Sequence, residues 1–183
     1  MKKTTISLRG MIYASLFGAG TAAGAYLIIP LPPVPITLQT LFLGLAGALL
    51  GARLGALSQV IYLLIGIIGL PVFAGGKAGL GVLLGPTGGY LFGFIAGAWV
   101  IGVLVNLKEK PGFGWTIVAL VAGTVVIYLF GVAQLSLVAR LSINKAISVG
   151  VLPFLIGDTV KILAAAYVVK RIKPRFNIQV PPA

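Results

Sequence analysis

The chain has no cysteine and no histidine, and only two of its 183 residues, Glu109 and Asp158, are acidic. Without thiols there is no disulfide and no thiol nucleophile, and without imidazoles the usual zinc and haem ligands are gone. Two carboxylates in separate parts of the chain cannot supply the paired titratable groups of acid–base catalysis. No catalytic residue and no metal site is expected, and the chain reads as a non-enzyme. A nucleotide-binding loop, G-x-x-x-x-G-K-[ST], is missing too. The Gly76-Lys77 pair has Pro71 where the first glycine belongs and Ala78 where the hydroxyl belongs.

What is present is apolar. The composition is 59% hydrophobic and 9% charged, against about 45–50% and about 25% in a soluble domain. Uncharged runs of 43, 23, 30 and 29 residues separate Arg9 from Arg53, Arg53 from Lys77, Lys77 from Lys108, and Lys110 from Arg140. A span needs roughly 20 apolar residues. The expected class is therefore an all-α, polytopic protein embedded in membrane lipid, one membrane domain over residues 1–183. The net charge of +12 does not point to nucleic acid, because no basic patch is interleaved with aromatics. Met1-Lys2-Lys3 and the apolar run to Ala23-Gly24-Ala25 imitate a signal peptide. The run is long enough to span, and is read as a retained first helix.

Prolines and glycines divide the chain into six transmembrane helices, at about 9–29, 37–52, 54–70, 88–107, 114–140 and 153–172. Residues 141–152 form a short interfacial segment. Four prolines within Ile29–Pro35 force extended backbone between the first two helices. Arg53 alone punctuates the second and third, and Gly69 to Thr87 makes a long glycine-rich connector. Six spans put both termini on one side. That side then carries Lys2, Lys3, Arg9, Arg53, Lys108, Lys110, Lys170, Arg171, Lys173 and Arg175, against Lys77, Arg140 and Lys145 on the other. The positive-inside bias sets both termini in the cytoplasm.

Asp158 lies in an apolar stretch three residues before Lys161. A charge at a helix centre costs about 2.5–3.5 kcal/mol on insertion scales, and i,i+3 spacing puts both on one face. Two readings stand: a structural ion pair, or a pair that holds a small polar ligand. An ionised aspartate only accepts hydrogen bonds and a lysine only donates them. Side by side they suit a ligand with N–H donors next to a carbonyl, as in a urea-like group. Gln39, Gln134, Tyr90, Tyr128 and Tyr167 are either ligand contacts or helix–helix and interfacial groups. Lys77 is a lone cation in the glycine-rich connector, where backbone can approach an anionic ligand closely; the alternative is a solvated loop charge. Gly10, Ala14, Gly18 and Ala22 recur at i,i+4 on the first helix, a ridge that lets another helix approach, within the bundle or on a partner.

Four segments in order resemble the BioY family, the biotin-specific substrate-capture subunits (S components) of energy-coupling factor (ECF) transporters. They are Pro32-Pro33-Val34-Pro35-Ile36-Thr37-Leu38-Gln39-Thr40, Gly69-Leu70-Pro71-Val72-Phe73-Ala74-Gly75-Gly76, Gly85-Pro86-Thr87-Gly88-Gly89-Tyr90-Leu91, and Pro153-Phe154-Leu155-Ile156-Gly157-Asp158-Thr159-Val160-Lys161. The resemblance implies an S-component-like bundle of six helices in the plasma membrane of a prokaryote. A biotin pocket would lie near the outer face, closed by the connector between the first two helices. Asp158 and Lys161 would hold the ureido ring, and Gly85, Pro86, Thr87 and Tyr90 would help enclose the rest. Lys77 is left to meet the valerate carboxylate. The ridge of Gly10, Ala14, Gly18 and Ala22 would meet the transmembrane coupling subunit, with its ATPase subunits supplying energy. The expected function is biotin uptake, with biotin the transported ligand and no cofactor. Two other expectations compete: a proton-coupled secondary transporter carrying its proton on Asp158, although the two halves show no inverted repeat, and a membrane scaffold without a ligand.

Overall fold

The computed structural model describes residues 7–173; Lys2, Lys3 and Arg175 of the charge tally lie outside the described residues. In chain order come α1 (Leu8–Tyr26), β1 (Ile28–Ile29), β2 (Ile36–Thr37), α2 (Gln39–Ile67), α3 (Leu80–Leu84), α4 (Gly88–Asn106), α5 (Phe113–Val138), α6 (Ile143–Gly150) and α7 (Leu155–Ile172). The expected all-helical fold needs one correction. β1 and β2 form an antiparallel hairpin, with Ile28 opposite Thr37 and Ile29 opposite Ile36. Its loop is the proline-rich connector, which bends at residues 32–34 and where missing N–H groups and fixed φ exclude helix. The segment expected at the interface carries α6, followed by a 3-10 turn at Leu152–Phe154.

The helices expected at 37–52 and 54–70 are joined as α2, and the break between them falls at Gly51, not Arg53. Gly51 has φ 80° and ψ −179°, a region essentially reserved for glycine. A Cβ built on Gly55 would lie 2.8 Å from Cα of Gly47, whereas eight residues of straight helix rise roughly 12 Å. The chain therefore doubles back. Its first half packs on α4, with Gly47 against the carbonyl of Ala98. Its second half packs on α1, with Gly18 against the carbonyl of Ser58.

Among the described residues, four helical stretches are long and apolar enough to cross a membrane: Gln39–Ile67, Gly88–Asn106, Phe113–Val138 and Ile143–Ile172. That is fewer than the six expected, for two reasons. The doubled-back α2 counts once, and α1 is so rich in glycine, alanine, serine and threonine that its side chains supply close packing rather than hydropathy. The outer surface is apolar, with Leu129, Leu137, Ile156 and Val160 all exposed. Helices suit such surroundings because their backbone groups are satisfied internally. Between helices small residues allow close approach; Gly97 of α4, for example, faces the carbonyl of Gly123 of α5.

The start of α1 and the end of α7 meet at one end of the bundle. Gly10 packs on Leu54, and Lys173 donates to the carbonyl of Ala48 at 3.1 Å, on either side of the Gly51 bend. Asn106 reaches the same bend. Just beyond it, Lys108 lies 4.3 Å above the Trp115 ring. The bend gives a direct test. Gly51→Ala is expected to lose about 1–3 kcal/mol through its backbone conformation, seen as a lower thermal unfolding midpoint in detergent. Gly114→Ala, whose Cβ would meet nothing within 4 Å, is expected to leave the midpoint unchanged or raise it.

Candidate functional site

At the other end of the bundle a cavity of about 100 Å³ is enclosed by the proline loop, the start of α2, the 69–87 connector, α4, α5 and the start of α7. Val34, Phe73, Leu91, Phe94, Ile127 and Phe154 give it apolar walls. The polar groups Thr37, Gln39, Thr40, Tyr128, Asp158 and Lys161 also line it. An apolar hollow with a few convergent polar groups is the usual form of a small-molecule site.

Asp158 and Lys161 are 6% and 8% exposed, and their charged atoms lie 2.6 Å apart. Placement in the first turns of α7 sets them on one face, as the spacing requires, and the helix dipole favours a carboxylate there. Lys161 Nζ donates to Asp158 Oδ1, to the carbonyl of Thr37 at 2.8 Å and to Thr40 Oγ1 at 3.0 Å. An ammonium has three N–H donors, and each has an acceptor. Asp158 Oδ1 also accepts from Thr40 Oγ1 at 3.3 Å, and Oδ2 accepts from the Tyr128 hydroxyl. A carboxylate offers about four lone-pair positions, so one on Oδ2 is left for an N–H from outside the protein. The pair joins α2, α5 and α7 at a single point.

The other candidates divide into three groups. Gln39 and Thr87 line the cavity, and Lys77 stands exposed at its rim. Lys77 is held there by a turn in which its carbonyl accepts from Phe73 N–H at 3.0 Å. Gly75 and Gly76 make that turn with φ of 74° and 70°. Gly85 and Pro86 border an adjoining groove that shares Lys77 and Thr87 with the cavity. Tyr90 lines the cavity with its ring, but its hydroxyl donates to the carbonyl of Gly150 at 2.8 Å.

Two expectations are corrected, for Gln134 and for the ridge on α1, and a third candidate, Tyr167, lies away from the cavity. Gln134 is not a wall of this cavity: its amide donates to the carbonyls of Leu83 and Gly85, at 2.6 and 2.8 Å, and fastens α3 to α5. Tyr167 is exposed on α7 beneath Arg171. The ridge on α1 turns inward. Gly10, Ala14 and Gly18 are buried, and Gly10 and Gly18 press on the second half of α2, so they are closed to a partner; Ala22 is half-buried. Small residues give the closest approach within the bundle, and α2 occupies it.

Thr40 escaped sequence reasoning, although it touches both charges. Its signal was position: it stands one residue after Gln39, at the start of α2, behind a proline loop that fixes where the helix begins. Tyr128 was visible as a hydroxyl, but its pairing with Asp158 depends on how α5 meets α7. The role found for Gln134 has a consequence. Gln134→Leu is expected to cost about 1–3 kcal/mol of stability, for two lost hydrogen bonds, and to lower the unfolding midpoint in detergent even without ligand. An unchanged midpoint would dissociate Gln134 from the α3–α5 fastening.

Comparison with known proteins agrees with this architecture. The chain is 48% identical over 166 residues to the biotin transporter BioY of Thermotoga maritima, covering 91% of this chain and 96% of that protein. It is 39% identical over 182 residues to a probable biotin transporter BioY of Lysinibacillus sphaericus, covering 96% and 91%. Among solved structures it matches the S-component for biotin from an ECF-type ABC transporter, with a TM-score of 0.82, 26% identity, and coverage of 91% and 92%. The BioY family model matches residues 1–178, and the chain belongs to the BioY family.

Proposed function

We propose that this chain is a biotin-binding membrane subunit that mediates biotin uptake as the S component of an ECF-type transporter, energised by partner ATPases. Its curated relatives are named biotin transporters, and it shares its fold with a solved biotin S-component. The observation that carries the reading to individual residues is the buried Asp158–Lys161 pair, set with a few hydroxyl and amide groups in a cavity that also has apolar walls. A ureido N–H fits the remaining acceptor position of Asp158 Oδ2. The ureido carbonyl takes the place of Thr40 Oγ1, the longest of the three Lys161 contacts. Phe73, Phe94 and Phe154 cover the bicyclic ring, and Lys77 at the rim meets the valerate carboxylate.

In the membrane the bundle makes six crossings: α1, the two halves of α2, α4, α5 and α7. The sharp reversal at Gly51 and the adjacent ends of α1 and α7 support this count. The end that gathers Arg9, Arg53, Lys108, Lys110, Lys170, Arg171 and Lys173 faces the cytoplasm, and the cavity faces outward. The membrane is the plasma membrane of a prokaryote. Capture outside, closure of the two outer connectors, reorientation against the coupling subunit and release inside complete the cycle. A proton carrier on Asp158 is not favoured, because that carboxylate is occupied by an ammonium and two hydroxyls.

With the glycine ridge buried, the side of α1 offered to the coupling subunit is the exposed one, where Met11, Ser15, Ala19 and Ala23 recur at i,i+4. Ala19→Leu is expected to abolish co-purification with the coupling complex while leaving biotin titrations unchanged. Gly18→Leu should instead lower thermal stability. For the ligand site, Asp158→Asn and Lys161→Met should each cost about 2–5 kcal/mol of biotin affinity, read by calorimetry; unaltered titrations for both would refute the assignment. Uptake in cells should stop with ATP depletion and persist when only the proton gradient is collapsed.

A further inference from the structure

A buried hydrogen-bond chain leaves the ion pair and ends in the second outer connector. Lys161 donates to the carbonyl of Thr37 on β2. The Thr37 hydroxyl donates to Gln39 Oε1 at 2.8 Å, Gln39 Nε2 donates to the Tyr62 hydroxyl, and Tyr62 donates to the carbonyl of Val72 at 3.2 Å. The Thr37 hydroxyl also accepts from the Gln39 backbone N–H at 3.4 Å; from the Gln39 amide onward each side chain accepts from one neighbour and donates to the next, an arrangement in which each bond polarises the following one. Thr37, Gln39 and Tyr62 are 9%, 4% and 0% exposed. Buried polar groups among apolar helices are expensive unless satisfied, and here they are satisfied only by one another and by the two connectors.

Tyr62 grips the connector twice. Besides the bond to Val72, its ring meets Phe73 edge-on, with centroids 5.6 Å apart. Phe73 is itself seated on Gly66, where any Cβ would overlap its ring. Phe73, Ala74 and Lys77 form one wall of the cavity. At the other end of the chain, Thr37 is paired through β2 to β1 and so carries the proline loop. Both walls that must part for a ligand to leave are thus held by one buried tyrosine and one buried glutamine.

We infer that Thr37, Gln39 and Tyr62 are positioning residues that couple occupancy of the Asp158–Lys161 pair to closure of the 69–79 connector, and so set how long the ligand is retained. This rests on the reading of biotin as the ligand. Engagement of Lys161 fixes the strand carbonyl it holds, Thr37 then fixes the Gln39 amide, and the amide fixes Tyr62. Tyr62→Phe keeps the ring and its contact with Phe73 but removes the bond to Val72. Thr37→Val keeps the shape and the carbonyl used by Lys161 but removes the hydroxyl.

The test uses the full chain in lipid nanodiscs with biotin as the probe. Biotin dissociation should become about tenfold faster in either variant while association changes little, since retention is read in the off-rate. The double variant should be no faster than the faster single variant, because both substitutions cut one chain. Hydrogen exchange supplies the readout that a merely structural role would not move: biotin should protect the backbone amides of 72–79 in the wild type and fail to do so in Tyr62→Phe. Protection that persists in the variant, or off-rate effects that multiply in the double variant, would overturn the coupling while leaving the ligand assignment intact. A wild-type protein that binds no biotin would overturn the functional reading itself, and the coupling with it.

Discussion

Two opposite charges 2.6 Å apart, both buried, are the constraint to which the cavity end of this bundle conforms. Removing such ions from water costs several kcal/mol each, and their attraction compensates only if the remaining donors and acceptors are also satisfied. Lys161 meets that condition fully and Asp158 nearly so. The groups that satisfy them come from the start of α2, from β2 and from α5, so the pair fixes how three separate parts of the chain meet. A hollow is left beside it because the surrounding side chains are large and held elsewhere: Phe73 on Gly66, and the Tyr90 ring over Gly131 with its hydroxyl on Gly150.

The opposite end of the bundle is governed by the Gly51 reversal. Folding α2 on itself lets a 29-residue element serve two neighbours, α1 and α4. It also gathers the ends of α1 and α7 beside the bend. Glycines then let the helices close on one another with little side-chain volume between them, since lipid provides no hydrophobic drive for their association. The division of labour follows: a tightly packed, basic end, and an end of turns, hairpin and short helix around the cavity.

Much of this was legible in the sequence, and the reasons for the remainder are physical. A charge in an apolar run is costly, so Asp158 and Lys161 were visible at once, and their spacing fixed a shared face. Proline and glycine clusters marked both connectors that line the cavity. Which face of a helix turns inward was not legible. A helix apolar all round carries no amphipathic signal, so the ridge of Gly10, Ala14 and Gly18 fitted a partner as well as it fitted α2. Gln134 and Tyr90 were identified as polar groups near the right level, but their bonds to Leu83, Gly85 and Gly150 depend on tertiary placement. Arg53 drew attention as a charge, although the bend needs a positive φ, and Gly51 is the residue that tolerates one.

The central claim is that a cyclic urea is recognised by hydrogen bonds to this one ion pair. The most direct measurement is calorimetric titration with the two cyclic-carbamate analogues of biotin, each carrying oxygen in place of one ureido N–H. A site built to accept that hydrogen bond rejects an analogue lacking it by a factor on the order of 10⁴. At least one analogue should therefore lose affinity on that scale; if both bind as tightly as biotin, the Asp158–Lys161 pair does not read the ureido ring.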